Sequence, residues 1–180
     1  MGWKAFKEHF QIDHIVQIVG NELQIGSEYA SNLAAINFST GEVIESDTFP
    51  NFLKKYYPLV LQATANEILD LLSIEDQFTS FIPVFTYAEH EILEKYCEEF
   101  TFPNVTHDGI LMFSNTFSTS KEKVIGWAKR DVNLALNLFL ELADKTEKKL
   151  NGYKNEVERI KANQANLESD YPSIPMQELI

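Results

Sequence analysis

A chain of 180 residues in which 44% are hydrophobic and 12% aromatic is long enough to bury a core, and this composition excludes an intrinsically disordered chain. The single cysteine, Cys97, excludes an internal disulfide and a multi-cysteine zinc site, and the formal net charge of −12 argues against direct binding to nucleic acid. No apolar run approaches the ~18 residues of a membrane span, and the first residues lack the apolar core of a secretory signal. We therefore expect a cytoplasmic protein that is not attached to a membrane.

The negative charge is concentrated in the first part of the chain. Residues 1–100 contain 16 acidic residues against 5 basic ones, whereas residues 101–180 contain 11 against 10. Such a surplus keeps many proteins soluble. It also suits an acidic face that binds a partner with a basic surface, and both interpretations stay open at this point.

The amino-terminal region predicts a short helix followed by an antiparallel meander. Residues 3–10 place three aromatic side chains at helical spacing. Two β-rich segments then flank a turn at Gly20, and a second pair turns at residues 39–41. We therefore expect antiparallel sheet over residues 14–46.

Short helices are predicted to follow the meander. Asp47 or Thr48 is a suitable N-cap for the first of them, and Pro50 suits its first turn, where a missing N–H has no intrahelical partner. Pro58 is expected to end or kink this helix. Residues 64–67 have the form of a capping box and predict the start of the next helix.

Residues 78–117 predict further strands. The first contains Pro83, which indicates an edge or a bulge. Residues 88–100 fit a helix or a strand, and we favour a strand because both neighbouring segments are strands that need pairing. The Asp108-Gly109 pair divides two β-rich segments and predicts a hairpin turn.

A long helix is predicted from Ser120. Its first part is apolar over a broad arc that is typical of a core helix, and this arc runs through Val132, Leu136, Phe139 and Leu142. Its second part has steps of three and four residues, which indicate a heptad seam. The seam residues are Leu150, Tyr153, Val157, Ile160, Gln164, Leu167 and Tyr171. Asn151-Gly152 either ends the first helix and gives a helical hairpin, or is tolerated in one continuous helix.

These patterns together predict an α+β fold. We expect antiparallel sheet from residues 14–46 and 78–117 to pack with helices, and a long helix or helical hairpin of coiled-coil character to follow. The predicted organisation is a globular domain over residues 1–148, a helical extension over 149–171 and an extended tail over 172–180.

Four residues are candidates for catalysis: His14, Cys97, His107 and Asp108. Turn chemistry explains the His107-Asp108 pair better than a metal site does, and the acidic neighbours of Cys97 oppose a thiolate. Residue chemistry therefore predicts no enzyme, no metal and no cofactor. The alternative is a small-molecule, nucleotide-signal type of binding protein or hydrolase that gathers these four side chains into one pocket.

The segment "PNVTHDGILMFSNTFST", followed by a spacer and "WAKR" at Trp127–Arg130, resembles a group of small uncharacterised phage and prophage accessory proteins. The likeness covers residues 103–130 and carries no catalytic residues. It implies a phage-encoded protein that acts in the cytoplasm of a host cell.

These observations predict a non-enzymatic interaction module that inhibits a host defence or nucleic-acid-processing enzyme, of the anti-CRISPR or anti-restriction type. The expected partner is a host protein with a basic surface, and the heptad seam predicts a homodimer, with an intramolecular helical hairpin as its rival. The candidate interaction residues are Glu89, Glu91, Glu94, Glu98 and Glu99.

Overall fold

The computed structural model describes residues 2–172 and confirms the α+β class, with antiparallel strand pairs and a long carboxy-terminal helix. The chain divides into an amino-terminal unit, Met1–Ala128, and a helical unit, Lys129–Ile180. The division therefore comes earlier in the chain than the predicted one between residues 148 and 149. The predicted extended tail lies, apart from residue 172, outside the described residues.

The described chain contains five helices and eight strands. The helices are α1 (Trp3–His9), α2 (Phe52–Tyr56), α3 (Pro58–Gln62), α4 (Ala65–Ser73) and α5 (Lys121–Asp170). The strands are β1 (Ile15–Val19), β2 (Glu22–Gly26), β3 (Ala34–Asn37), β4 (Val43–Glu45), β5 (Ile82–Ala88), β6 (Glu91–Cys97), β7 (Asn104–Val105) and β8 (Leu111–Met112).

The main core lies between α1, the meander and the short helices. Strands β1 to β4 are neighbours in that order and every pair is antiparallel, as predicted for residues 14–46. Gly20 turns the first hairpin with a φ of 59°, a left-handed conformation that glycine adopts without steric cost. Val16, Leu23 and Ile36 are fully buried, and Phe6 of α1 belongs to the same cluster. The first helix therefore packs on the sheet that follows it.

The start of α2 differs from the prediction. The predicted cap at Asp47 or Thr48, with Pro50 in the first turn, is wrong, because α2 begins only after Asn51, which has no capping side chain. A carboxylate from β4 takes the place of a local cap: Glu45 accepts a hydrogen bond of 2.7 Å from a backbone N–H in α2. A cap supplied by a separate strand leaves no signal in the local sequence.

The next two helix boundaries follow the prediction. Helix α2 ends just before Pro58, which occupies the first position of α3. The capping box is confirmed, since the Thr64 hydroxyl accepts from the Glu67 N–H at 3.3 Å and the Glu67 carboxylate accepts from the Thr64 N–H at 2.7 Å. Local capping chemistry therefore sets these boundaries.

Residues 78–117 form two separate antiparallel pairs, β5 with β6 and β7 with β8. The strand favoured within residues 88–100 is confirmed as β6, so the helical alternative there is wrong. Pro83 lies in a two-stranded pair, which agrees with the predicted edge position. A small second core holds these pairs together, and it consists of Val84, Cys97, Met112 and Phe117.

The turn between β7 and β8 contacts the outer strand of the meander. Gly109 has a φ of 83°, as its predicted turn position requires, and its carbonyl accepts a hydrogen bond of 2.8 Å from the Ile18 N–H. A Cβ atom at this position would lie 2.5 Å from Cγ1 of Ile18. Both the backbone conformation and the close approach therefore require glycine.

Helix α5 is continuous for 50 residues. It passes through Asn151 and Gly152 without a break, so the continuous-helix alternative is confirmed and the helical hairpin is wrong. The predicted core position of its apolar arc is also wrong for this chain, because the arc from Val132 to Leu142 is 46–67% exposed. Residues 129–172 contain no second helix or strand that could cover it. Among the described residues, no helix has the length and hydrophobicity of a membrane span.

Replacing Gly109 by alanine is expected to lower the free energy of unfolding by about 2 kcal/mol, because strain at positive φ adds to the contact with Ile18. Gly20→Ala is the matched control, since Gly20 also has positive φ but a Cβ atom there would have no neighbouring atom within 4 Å. It should cost about 1 kcal/mol from strain alone. Urea unfolding followed by circular dichroism measures both, and equal losses would contradict the proposed contact.

Candidate functional site

His107 lies in an aromatic setting that fits a structural role. Its ring stacks on Phe78 with centroids 3.8 Å apart and meets the edge of Phe81 at 4.8 Å. Its backbone N–H donates to the Tyr96 carbonyl at 2.8 Å, and its carbonyl accepts from the Trp3 indole at 2.9 Å. The Nε2 atom is buried without a hydrogen-bond partner, and burial lowers the pKa of the ring. The imidazole is therefore held as a neutral packing group.

Asp108 serves the turn in which it lies. Its carboxylate accepts hydrogen bonds of 2.5 Å from the Lys95 ammonium and from the Thr106 hydroxyl. Burial alone would raise the pKa of Asp108, but these two hydrogen bonds outweigh it and hold the pKa below its ordinary value. The turn predicted from the Asp108-Gly109 pair is confirmed.

The other two catalytic candidates have different surroundings. His14 is 2.5 Å from the Tyr57 hydroxyl through Nδ1 and meets the edge of the Phe52 ring. Cys97 is fully buried in the second core, and burial raises the pKa of its thiol. Within residues 2–172, no three His, Cys, Asp or Glu side chains are grouped so as to hold a metal ion. The structure thus does not gather the four candidates into one pocket.

A cleft of about 350 Å³ beside His107 contains a set of contacts that the sequence did not reveal. Lys4 of α1 forms a 2.7 Å ion pair with Glu98, and the same carboxylate accepts from the Thr79 N–H at 2.7 Å. The Lys4 ammonium also donates to the Gln77 carbonyl at 2.8 Å. We call this set the Lys4–Glu98 clasp. Its charges satisfy one another, so it ties three distant segments together and offers no free reactive group.

The five acidic candidates do not form one surface. Glu89 lies in the β5–β6 turn with a φ of 52°, and Glu91 begins β6. Glu91 and Glu94 lie on opposite faces of β6, because side chains alternate along a strand. Glu94 accepts from the Tyr96 hydroxyl at 2.8 Å, Glu98 belongs to the clasp, and Glu99 is exposed just after the strand. Of this set, Glu89, Glu91, Glu94 and Glu99 are exposed to solvent.

The heptad seam of α5 is an exposed apolar feature, and it is longer than predicted. The alternation of four and three residues continues upstream from Leu150 as far as Val132. We call the whole set the α5 seam, and its members are Val132, Leu136, Phe139, Ala143, Thr146, Leu150, Tyr153, Val157, Ile160, Gln164, Leu167 and Tyr171. Its large apolar side chains are 49–70% exposed. The upstream spacing was present in the sequence, but the broad apolar arc around it indicated burial in a core.

Charged residues border the α5 seam on both sides. Two ion pairs, Lys145–Glu141 at 4.0 Å and Lys148–Asp144 at 2.6 Å, lie on the outer faces of the helix. Two others each include one residue next to the seam, Glu156 and Lys161. Among residues 2–172, none of these pairs involves Glu147, Lys149 or Lys154, which lie next to the seam. The arrangement is chemically suited to helix association, with an apolar stripe bordered by charges that are available to a second helix.

The clasp makes folding stability depend on pH. Burial alone would raise the pKa of Glu98, but the Lys4 ion pair and the Thr79 hydrogen bonds lower it from 4.5 to about 2. A depressed folded-state pKa gives stability that is fully present above pH 4.5 and is lost as the pH falls toward about 2. We expect Glu98→Gln to lower the free energy of unfolding at pH 7 and to flatten its fall across that window. Glu99→Gln removes the same charge at the next residue and should leave the profile unchanged. Matching profiles for the two variants would contradict the clasp.

Comparison with known proteins found no family model, no curated protein and no solved structure that matches this chain. The likeness of residues 103–130 to phage accessory proteins therefore stays an expectation from the sequence.

Proposed function

We propose that this protein is a non-enzymatic interaction module that acts as a homodimer joined through the α5 seam. The observation that carries the proposal is the exposure of this seam along a helix of 50 residues. The proposal has two further parts. The protein is encoded by a phage, and it inhibits a host defence or nucleic-acid-processing enzyme in the host cytoplasm.

Association would give α5 a surface on which its apolar side chains can pack. Most helical stability in proteins comes from packing an apolar face against other structure. Burying one Val, Leu or Ile side chain contributes roughly 1.5–3 kcal/mol. Several such side chains lie along the α5 seam, and residues 129–172 include no other element to bury them. A second copy supplies the matching surface, and symmetric pairing is the commonest form of assembly in soluble proteins.

The charge of the amino-terminal unit supports a basic partner. This unit carries 18 acidic residues against 7 basic ones, whereas the helical unit is nearly balanced. Enzymes that process nucleic acid present basic channels, because they must meet phosphates with Lys and Arg. An acidic protein that covers such a channel would bind rapidly, and its association would weaken as salt screens the charges. The anti-CRISPR or anti-restriction type of inhibitor is the specific form of this proposal.

Placing charges in the seam should separate the two copies. In Val157→Asp combined with Ile160→Asp, each dimer would have to bury carboxylates, so we expect a monomer by size-exclusion chromatography with light scattering. Asn155→Asp combined with Ala162→Asp adds the same charge on the outer face of the helix and should remain dimeric. A wild-type chain that is monomeric at micromolar concentration would overturn the proposed dimer.

Partner capture tests the second part of the proposal. We expect affinity capture from a host lysate at about 50 mM salt to enrich a nucleic-acid-binding protein, and about 500 mM salt to release it. Replacing Glu89 and Glu91 by Gln should weaken capture, whereas the outer-face variant of α5 should not. Recovery of a small-molecule ligand with no protein partner would argue for the binding-protein alternative.

A further inference from the structure

We propose that the two α5 helices of the dimer run antiparallel, with the two-fold axis between Asn151 and Gly152. This inference rests on the proposed dimer and adds its direction and register. It follows from the charges beside the α5 seam, from the sizes of the seam side chains and from one hydrogen bond of Gln164.

The step pattern assigns every seam residue to one of the two core positions of a heptad, called a and d. The a positions are Leu136, Ala143, Leu150, Val157, Gln164 and Tyr171, and the d positions are Val132, Phe139, Thr146, Tyr153, Ile160 and Leu167. An axis between Asn151 and Gly152 pairs each a residue with the d residue equally distant from the axis. All twelve positions are then covered.

The charges next to the core favour this arrangement. In an antiparallel pair, e positions face e positions and g positions face g positions. Glu147 at e then lies beside Lys154 and Lys161 of the second copy, and Lys149 at g lies beside the second copy's Glu156. Near the axis, Lys149 also approaches Lys149 of the second copy, and Lys154 approaches Lys154 of the second copy. The opposite-charge contacts outnumber these two like-charge ones. The charges that border the seam on one helix are therefore complementary to those on an antiparallel second copy.

A parallel dimer loses this complementarity. There each g residue faces the e residue five positions later on the partner helix. Lys149 would face Lys154 of the second copy, and by symmetry this repulsion would occur twice. The attraction of Glu156 for the second copy's Lys161 would only offset it.

The charges also fix the register of the antiparallel pair. A shift of one heptad in one direction places Glu147 opposite Glu147 of the second copy, so that two carboxylates face each other. A shift in the other direction places Lys154 beside the second copy's Lys161. It also places Glu156 opposite Glu156 of the second copy. Only the axis between Asn151 and Gly152 pairs mainly opposite charges while covering the full length of the seam.

The sizes of the core side chains agree with the reversed direction. In a parallel pair every residue meets itself, so Ala143 would form an underfilled layer and Tyr153 an overfilled one. In the antiparallel pair, Ala143 lies opposite Ile160 and Thr146 lies opposite Val157. Small side chains then face larger ones, which gives an even core without voids.

Gln164 is the one seam residue that would favour a parallel pair, because two glutamines at the same a position can bond to each other. In α5, however, the Gln164 amide already donates to the Glu168 carboxylate of the same helix at 3.1 Å. The Gln164 amide therefore does not depend on Gln164 of the second copy for a hydrogen-bond partner. In the antiparallel pair its methylene groups can lie against Phe139 of the second copy.

Distances between spin labels test the direction in the full-length dimer. Cysteine is introduced in separate proteins at Asn151, near the axis, and at Asn166, far from it. Both sites lie outside the core positions, and the parent chain, whose single cysteine is fully buried, serves as the unlabelled control. In the antiparallel pair the Asn166 labels are separated by roughly 44 Å along the axis at ~1.5 Å per residue, whereas the Asn151 labels are nearly level.

The outcomes separate this inference from the proposed function. A long distance at residue 166 with a short one at residue 151 supports the antiparallel pair. Short distances at both sites in a chain with a dimeric mass would overturn the direction and leave the dimer intact. A monomeric mass with no inter-label distance would overturn the dimer itself.

A charge reversal provides a second test with opposite signs for the two directions. Lys149→Glu places a carboxylate beside Glu156 in the antiparallel pair but beside Lys154 in the parallel one. We expect the dimer dissociation constant to rise several-fold, and the combination Lys149→Glu with Glu156→Lys to restore it. A lower dissociation constant for the single variant would contradict the antiparallel arrangement.

Discussion

The constraint on which the rest of the structure depends is that α5 cannot bury its own seam. Side chains at steps of three and four residues all lie on one face of a helix. A continuous helix cannot fold back to cover that face. Within residues 129–172 there is nothing else for that side to contact. The proposed dimer would cover all twelve seam positions, because a second copy supplies the same apolar stripe.

The amino-terminal unit presents the opposite situation, because its polar groups are largely satisfied within the unit. Glu98 is bound by Lys4 and Thr79, and Asp108 by Lys95 and Thr106. Groups held in this way stabilise a fold, but they are poor nucleophiles or bases because their lone pairs are already engaged. In the proposed inhibitor, this unit would contact a partner through its shape and its surplus of exposed carboxylates.

Local patterns predicted most of the fold, and contacts between distant segments account for what was missed. The meander, the capping box at Thr64 and the turn at Gly109 each depend on residues close together in sequence, so the sequence predicted them. The cap supplied by Glu45 and the clasp between Lys4 and Glu98 join separate segments. Such contacts depend on topology, which the spacing of residues in one chain does not reveal. The upstream half of the seam was missed for another reason: Leu134, Leu138 and Leu140 surround it and made the segment resemble a buried helix.

That apolar surround also limits what two helices can accomplish. A pair of helices covers positions a and d and shields e and g, so Leu140 at e and Leu142 at g gain cover. Leu134 at f and Leu138 at c remain on the outside, where they are 61% and 54% exposed in the single chain. Clustered apolar side chains on an otherwise charged surface are typical of protein contacts. Electrostatic attraction mainly accelerates association, whereas apolar burial mainly slows dissociation. The proposed partner would thus be drawn by the acidic unit, and side chains such as Leu134 and Leu138 would give the complex its lifetime.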